Sequence, residues 1–189
     1  MQYKTRLPIL AFITLLIISC NMMNGKKGNN TLNESVTKPK GFLLSNIVVH
    51  AFSDPILKDT FKLFLKGDSI VSGKVIFQII SHNNKRIHAE SFPAFDLLGD
   101  DYQDSALKLK TDTITRRFND FFAESNYVVP ATSLADSSFD LENMKGKDWN
   151  DIKSDKTAVG FIYSHFYEGA VGIAYSKKRK KVVTYFESD

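Results

Sequence analysis

The chain of 189 residues holds a single cysteine, Cys20. One thiol permits neither an intrachain disulfide nor a thiolate zinc cluster, so a packed core must hold the fold. The longest apolar run, Leu7 to Ile18, falls short of the roughly 20 residues that span a bilayer. There is no G-x-S-x-G turn that would raise a serine nucleophile. No glycine-rich loop is present to cradle phosphate. No internal repeat is visible. These absences weigh against an enzyme, and no cofactor is expected.

What is there begins at the N-terminus. Met1 to Arg6 carries Lys4 and Arg6 and no acid, and Leu7 to Ile18 is apolar apart from Thr14. A basic segment followed by an apolar core of this size reads as a secretory signal. It ends in Ile17, Ile18, Ser19 and Cys20. An aliphatic residue, a small residue and a cysteine after such a run resemble the lipobox of bacterial lipoprotein precursors. The resemblance covers residues 1–20 only. It implies cleavage before Cys20, acylation of its thiol and new amino group, and attachment to a membrane through that lipid. Asn21, where an aspartate tends to retain such proteins at the inner membrane, points to the outer membrane. Lys26 and Lys27, with no acid as far as Asn30, point to its periplasmic side. The expected divisions are a signal peptide at 1–19, a flexible tether at 20–40 and one domain at 41–189. The tether, rich in Asn, Gly, Lys, Ser and Thr, has too little apolar surface to offset the entropy of ordering.

Without Lys4 and Arg6 the basic residues fall from 25 to 23, against 21 acids, so the whole-chain pI near 9.0 overstates how basic the working protein is. A nucleic-acid partner would require a concentrated basic face, and none is expected. The one dense cluster, Lys177 to Lys181, reads as a solvated turn, with an anionic contact as the alternative.

From Gly41 onward the pattern is strands, then helices, then strands, which predicts an α+β fold. Ile47–Phe52, Thr60–Lys66, Gly73–Ile80 and Arg86–Phe92 read as strands, the last two joined by a turn at Asn83-Asn84. Asp112 reads as the cap of a helix from about Thr113 to Glu124, with Ile114, Phe118, Phe121 and Phe122 on one apolar stripe. Asp148–Lys153 reads as a short helix turning Trp149 and Ile152 inward. A three-stranded meander follows: Ala158–Tyr167, Ala170–Ser176 and Lys181–Glu187.

Candidate chemistry is thin. The histidines are His50, His82, His88 and His165. A zinc site needs three or four convergent ligands, the turn at Asn83-Asn84 does not bring His82 and His88 together, and no metal site is expected. Asp96, Asp100, Asp101 and Asp104 crowd one segment but do not match a calcium-loop spacing. The meander comes nearest to a site. A two-residue turn at Glu168-Gly169 pairs Tyr163 with Ala174 and His165 with Gly172. One face then carries Phe161, Tyr163, His165, Tyr167 and Tyr185 around a floor of small residues. Tyrosines beside a shallow floor suit a binding face; the alternative is a helix packed into the trough. The functions that fit are a lipid-anchored binding or interaction module of the cell envelope, whose partner is an envelope protein or a glycan; an inhibitor or immunity protein against a wall-degrading enzyme or toxin; or a wall or glycan hydrolase without a recognisable motif.

Overall fold

Period-two alternation builds the first sheet. In β2 (Lys58–Lys66), Phe61, Leu63 and Leu65 are buried, while Thr60, Lys62 and Phe64 face the other way and stay half-exposed. β3 (Lys74–Ile80) repeats the pattern with Val75, Phe77 and Ile79 inside. β1 (Leu44–Ala51) and β4 (Arg86–Pro93) flank them, giving the order β1-β2-β3-β4, every pair antiparallel. The computed structural model describes residues 41–99, 105–133, 147–164 and 169–188. Across these it shows the α+β class, with two antiparallel sheets of four strands each and two helices.

Turn chemistry joins the strands. Gly67 has φ 151°, and a Cβ there would lie 2.8 Å from the Cα of Gly73, so this corner requires glycine. Asn84 takes φ 62° in the β3–β4 loop, as its side chain permits. That loop is longer than a two-residue turn: Ser81 N–H donates to Lys85 O, and the register shifts by one between Ile79 and Ile80. Asp59, fully buried on β2, accepts from the backbone N–H groups of Ser53 and His82 at 2.6 and 2.8 Å. One carboxylate thereby ties both loops at that end of the sheet, and a buried carboxylate requires such donors.

The main helix, α1 (Leu107–Asp120), begins earlier than its apolar stripe suggests. Its first turn carries Leu107 and Leu109 exposed to solvent, so nothing in the core-facing period marks it. Asp112 lies inside the helix and pairs with Lys108 one turn back rather than capping it. The stripe itself packs as expected: Ile114 and Phe118 are fully buried, and Phe121 and Phe122 follow in the turn after the helix.

The second sheet has the order β5-β6-β7-β8. β5 (Tyr127–Val128) is a two-residue strand ahead of the meander β6 (Gly160–Tyr163), β7 (Ala170–Ser176) and β8 (Lys181–Ser188). The inner faces of the two sheets share one core. Phe161 and Tyr163 meet Phe61, Phe77, Phe121 and Phe122 there at ring separations of 5.3–5.9 Å. A smaller core lies on the opposite face of the second sheet. There Trp149 and Ile152 of α2 (Lys147–Ser154) cover Ala174, Val183, Tyr185 and Phe186.

Candidate functional site

The expected tyrosine face does not form. Phe161 pairs with Ile173 and Tyr163 with Val171, where a two-residue turn would have placed Tyr163 opposite Ala174. The offset is three residues. Strand side chains alternate, so an odd offset turns every residue of β6 to the other face. Phe161 and Tyr163 therefore enter the core between the sheets, and Tyr185 lies on the far side with Ala174. All three are buried, at 0, 4 and 5% exposure. His165 and Tyr167 lie outside the described residues, as do Cys20, Asp100, Asp101 and Asp104.

The trough of small residues is real but filled. A Cβ on Gly160 would sit 2.5 Å from the Tyr185 hydroxyl, and one on Gly172 would sit 3.1 Å from its ring. Tyr185 donates its hydroxyl to Ala131 O at 2.7 Å and stacks at 6.2 Å on Trp149. The packed-helix alternative describes this side.

Tyr163 has a different role. Its hydroxyl donates to Glu90 Oε2 at 2.6 Å, linking the edge strand of one sheet to the other sheet. His88 Nε2 lies 3.4 Å from the same oxygen. Tyr163 also walls a cleft of about 520 Å³ between α1, the 3₁₀ turn Ala94–Leu97 and the end of β6. Asp96, Arg116, Arg117, Asp120, Asn126 and Ser164 bring charge and hydrogen-bonding capacity to its lining. Arg117 is held in place by donating to Leu97 O at 2.9 Å. Arg116 and Asp120 also line an adjoining depression of about 370 Å³ along the outer side of α1. Two guanidinium groups and two carboxylates suit a polar ligand with both donors and acceptors. The helix phase that buries Ile114 and Phe118 necessarily puts Arg116 and Asp120 outside. Only the return of β6 beside the helix makes them a site, which a linear reading misses.

Several other polar residues hold the fold together. Lys177 pairs with Asp155 at 2.8 Å and Arg179 pairs with Asp148, so the basic turn clasps α2 and the loop after it. Burial would raise the Asp155 carboxyl, but hydrogen bonds from Lys177 and Thr157 outweigh it and lower its pKa. His50 stacks on Tyr127 at 3.7 Å and its Nε2 lies 3.3 Å from Glu124. No group of three His, Cys, Asp or Glu side chains that could hold a metal occurs among the described residues. Comparison with known proteins finds no matching family model, no similar curated protein and no similar solved structure.

Burial raises the phenol pKa of Tyr127, Tyr163 and Tyr185 above its ordinary value. Glu124 adds to the shift at Tyr127 and Glu90 adds to it at Tyr163. A raised folded-state pKa favours the protonated form, so its stabilisation is complete below the unfolded value near 10 and is lost as pH rises beyond it. Stability is therefore expected to fall steadily above about pH 10, with the phenolate absorbance of these rings appearing only as the chain unfolds. Full ionisation of every tyrosine while the near-ultraviolet circular dichroism stays native would contradict this burial.

Proposed function

We propose that the protein is a lipid-anchored binding module of the cell envelope, held through Cys20 in the outer membrane on its periplasmic side. The cleft between α1 and β6 takes its ligand, a segment of an envelope protein or a glycan. The observation that carries the anchoring is the run from Lys4 to Cys20, in which charge, apolar length and the closing Ile-Ile-Ser-Cys stand in one order. A single acyl chain binds a bilayer only marginally, and acylation of both thiol and amino group makes attachment stable. The cleft supports the binding part. Its volume lies within the range usual for ligand sites, and its mixed charge suits hydroxyl-, amide- or carboxylate-bearing ligands.

Detergent partition in cells that process lipoproteins tests the anchor. The parent is expected in the detergent phase, and the Cys20→Ser chain unprocessed or in the aqueous phase. Equal partition of the two would remove the anchor. Capture from solubilised envelope tests the cleft: the parent retains a partner that Arg116→Glu loses. Identical capture by both chains would place the site elsewhere.

A further inference from the structure

The residues on the outer face of the first sheet are half-exposed or exposed, and their composition is one-sided. The alternation that buries Phe61, Leu63 and Leu65 sends Lys58, Lys62 and Lys66 outward from β2. The cross-strand register places Gln78 opposite Lys62, and Lys74 opposite Lys66. On the next strand Arg86 stands opposite Ile80. This face thus carries Lys58, Lys62, Lys66, Lys74 and Arg86 and no acid, since Asp59 and Glu90 belong to the inward parity. None of the five is paired with a carboxylate among the described residues. The acids nearest in sequence, Asp54 and Asp68, lie in the connecting loops rather than on the strands. Asp54 is already held by the backbone N–H groups of Leu57 and Ile56, which lower its pKa.

Between the cations the face is apolar. Ile47 and Val49 are 38 and 55% exposed, and Phe64, Ile76 and Ile80 are half-exposed. The β1–β2 loop, at the Val49 end, presents Ile56 at 81% and Leu57 at 51% exposure. Lysines set among exposed aliphatic groups on a broad sheet fit a bilayer interface, where apolar groups enter the headgroup region and ammonium groups meet lipid phosphates. The chain also enters the fold at this face: the Phe42 ring stacks on Phe64 at 4.6 Å, directly after residues 1–40.

We propose that the outer face of the first sheet seats the domain on an anionic phospholipid surface. The inference rests on the anchoring reading for what brings this face to the bilayer. Seated in this way, the domain gains a second attachment beside the lipid, one governed by surface charge and salt.

The test uses the full chain with Cys20→Ser, so no acyl chain contributes, and measures co-sedimentation with vesicles. Vesicles of phosphatidylglycerol and phosphatidylcholine are expected to bind it, and phosphatidylcholine alone far less. Adding Lys62→Glu and Lys74→Glu is expected to weaken binding at least about twentyfold, since each lysine near an anionic surface is worth roughly fivefold. Lys62→Arg with Lys74→Arg is expected to retain it, and high salt to release it. If the glutamate pair lowers the melting temperature, Lys66→Glu with Arg86→Glu replaces it. Unchanged binding by the glutamate variants assigns the affinity to residues 1–40 and overturns the proposal. So does equal binding to neutral vesicles, binding to dextran sulfate without binding to vesicles, or a dimer that forms through this face and is lost in the glutamate variant. Failure of the anchor itself shows in the detergent partition of the Cys20→Ser chain and leaves the vesicle result unaffected.

Discussion

Phe161→Ala is expected to lower the free energy of unfolding by about 3–5 kcal/mol. The ring is fully buried and stands where both sheets and the end of α1 meet. Tyr127 and Tyr163 lie 5.0 and 5.3 Å from it, and Phe61, Phe77, Phe121 and Phe122 lie 5.4–5.9 Å away. Several of these pairs are tilted or edge-on, the arrangements that add to simple area burial. Truncation removes those contacts and leaves a cavity walled by rings that belong to different elements, so no single side chain can collapse into it. Against a typical stability of about 5–15 kcal/mol, the loss brings the domain close to its unfolding threshold. Urea unfolding at constant slope measures it. A loss below about 1 kcal/mol would mean that Phe161 is not at the junction of the sheets.

Gly160→Ala is expected to cost about 1–3 kcal/mol by overpacking, though alanine is otherwise the mildest of replacements. The new methyl carbon would stand 2.5 Å from the Tyr185 hydroxyl, 2.9 Å from Val128 Cγ2 and 3.1 Å from Ala131 Cα. The hydroxyl cannot swing away freely, because it donates to Ala131 O at 2.7 Å and its ring lies against Trp149. Tyr185→Phe removes the obstructing atom and, by itself, leaves Ala131 O short of a donor, at about 1–3 kcal/mol. Combined, the two changes are expected to cost clearly less than their sum, because the clash is shared. A double-mutant cycle reads this coupling. Strict additivity would show that the glycine is not held against the tyrosine.

Much of the fold was legible because it follows from short-range rules. Alternation in Thr60–Lys66 identified the strand and its buried face, whereas Gly73–Ile80 reads as a strand apolar on both sides, and only the structure shows that Val75, Phe77 and Ile79 are the buried set. The spacing of Ile114, Phe118, Phe121 and Phe122 identified the buried stripe of the main helix. The start of that helix was not legible: Leu107 and Leu109 are exposed, and Asp112 serves a side-chain pair with Lys108 instead of an N-terminus. In the second hairpin of the meander Ala174 pairs with Val183, and a bulge between Gly172 and Ile173 then sets Phe186 opposite Gly172, which no local pattern announces. That shift leaves Tyr185 and Phe186 both in the smaller core.

The candidate face failed on one register, and the cleft was invisible for a related reason. Whether Tyr163 meets Ala174 or Val171 depends on how long the β6–β7 connection is, and Glu168-Gly169 satisfies the local rule for a tight turn whether or not the chain uses it. Packing decides between the registers. The observed one buries Phe161 and Tyr163 against the phenylalanines of the first sheet, an advantage that no local window contains. Arg116 and Asp120 likewise read as the wet side of a helix until β6 and the 3₁₀ turn come to rest beside them. By itself the sequence determined the class of fold, the buried side of Thr60–Lys66 and the buried stripe of the main helix, because alternation and helical period act between near neighbours. Only the tertiary structure decided which tyrosines are walls and which residues share a cleft, because those contacts join residues far apart in the chain through a register that long-range burial selects.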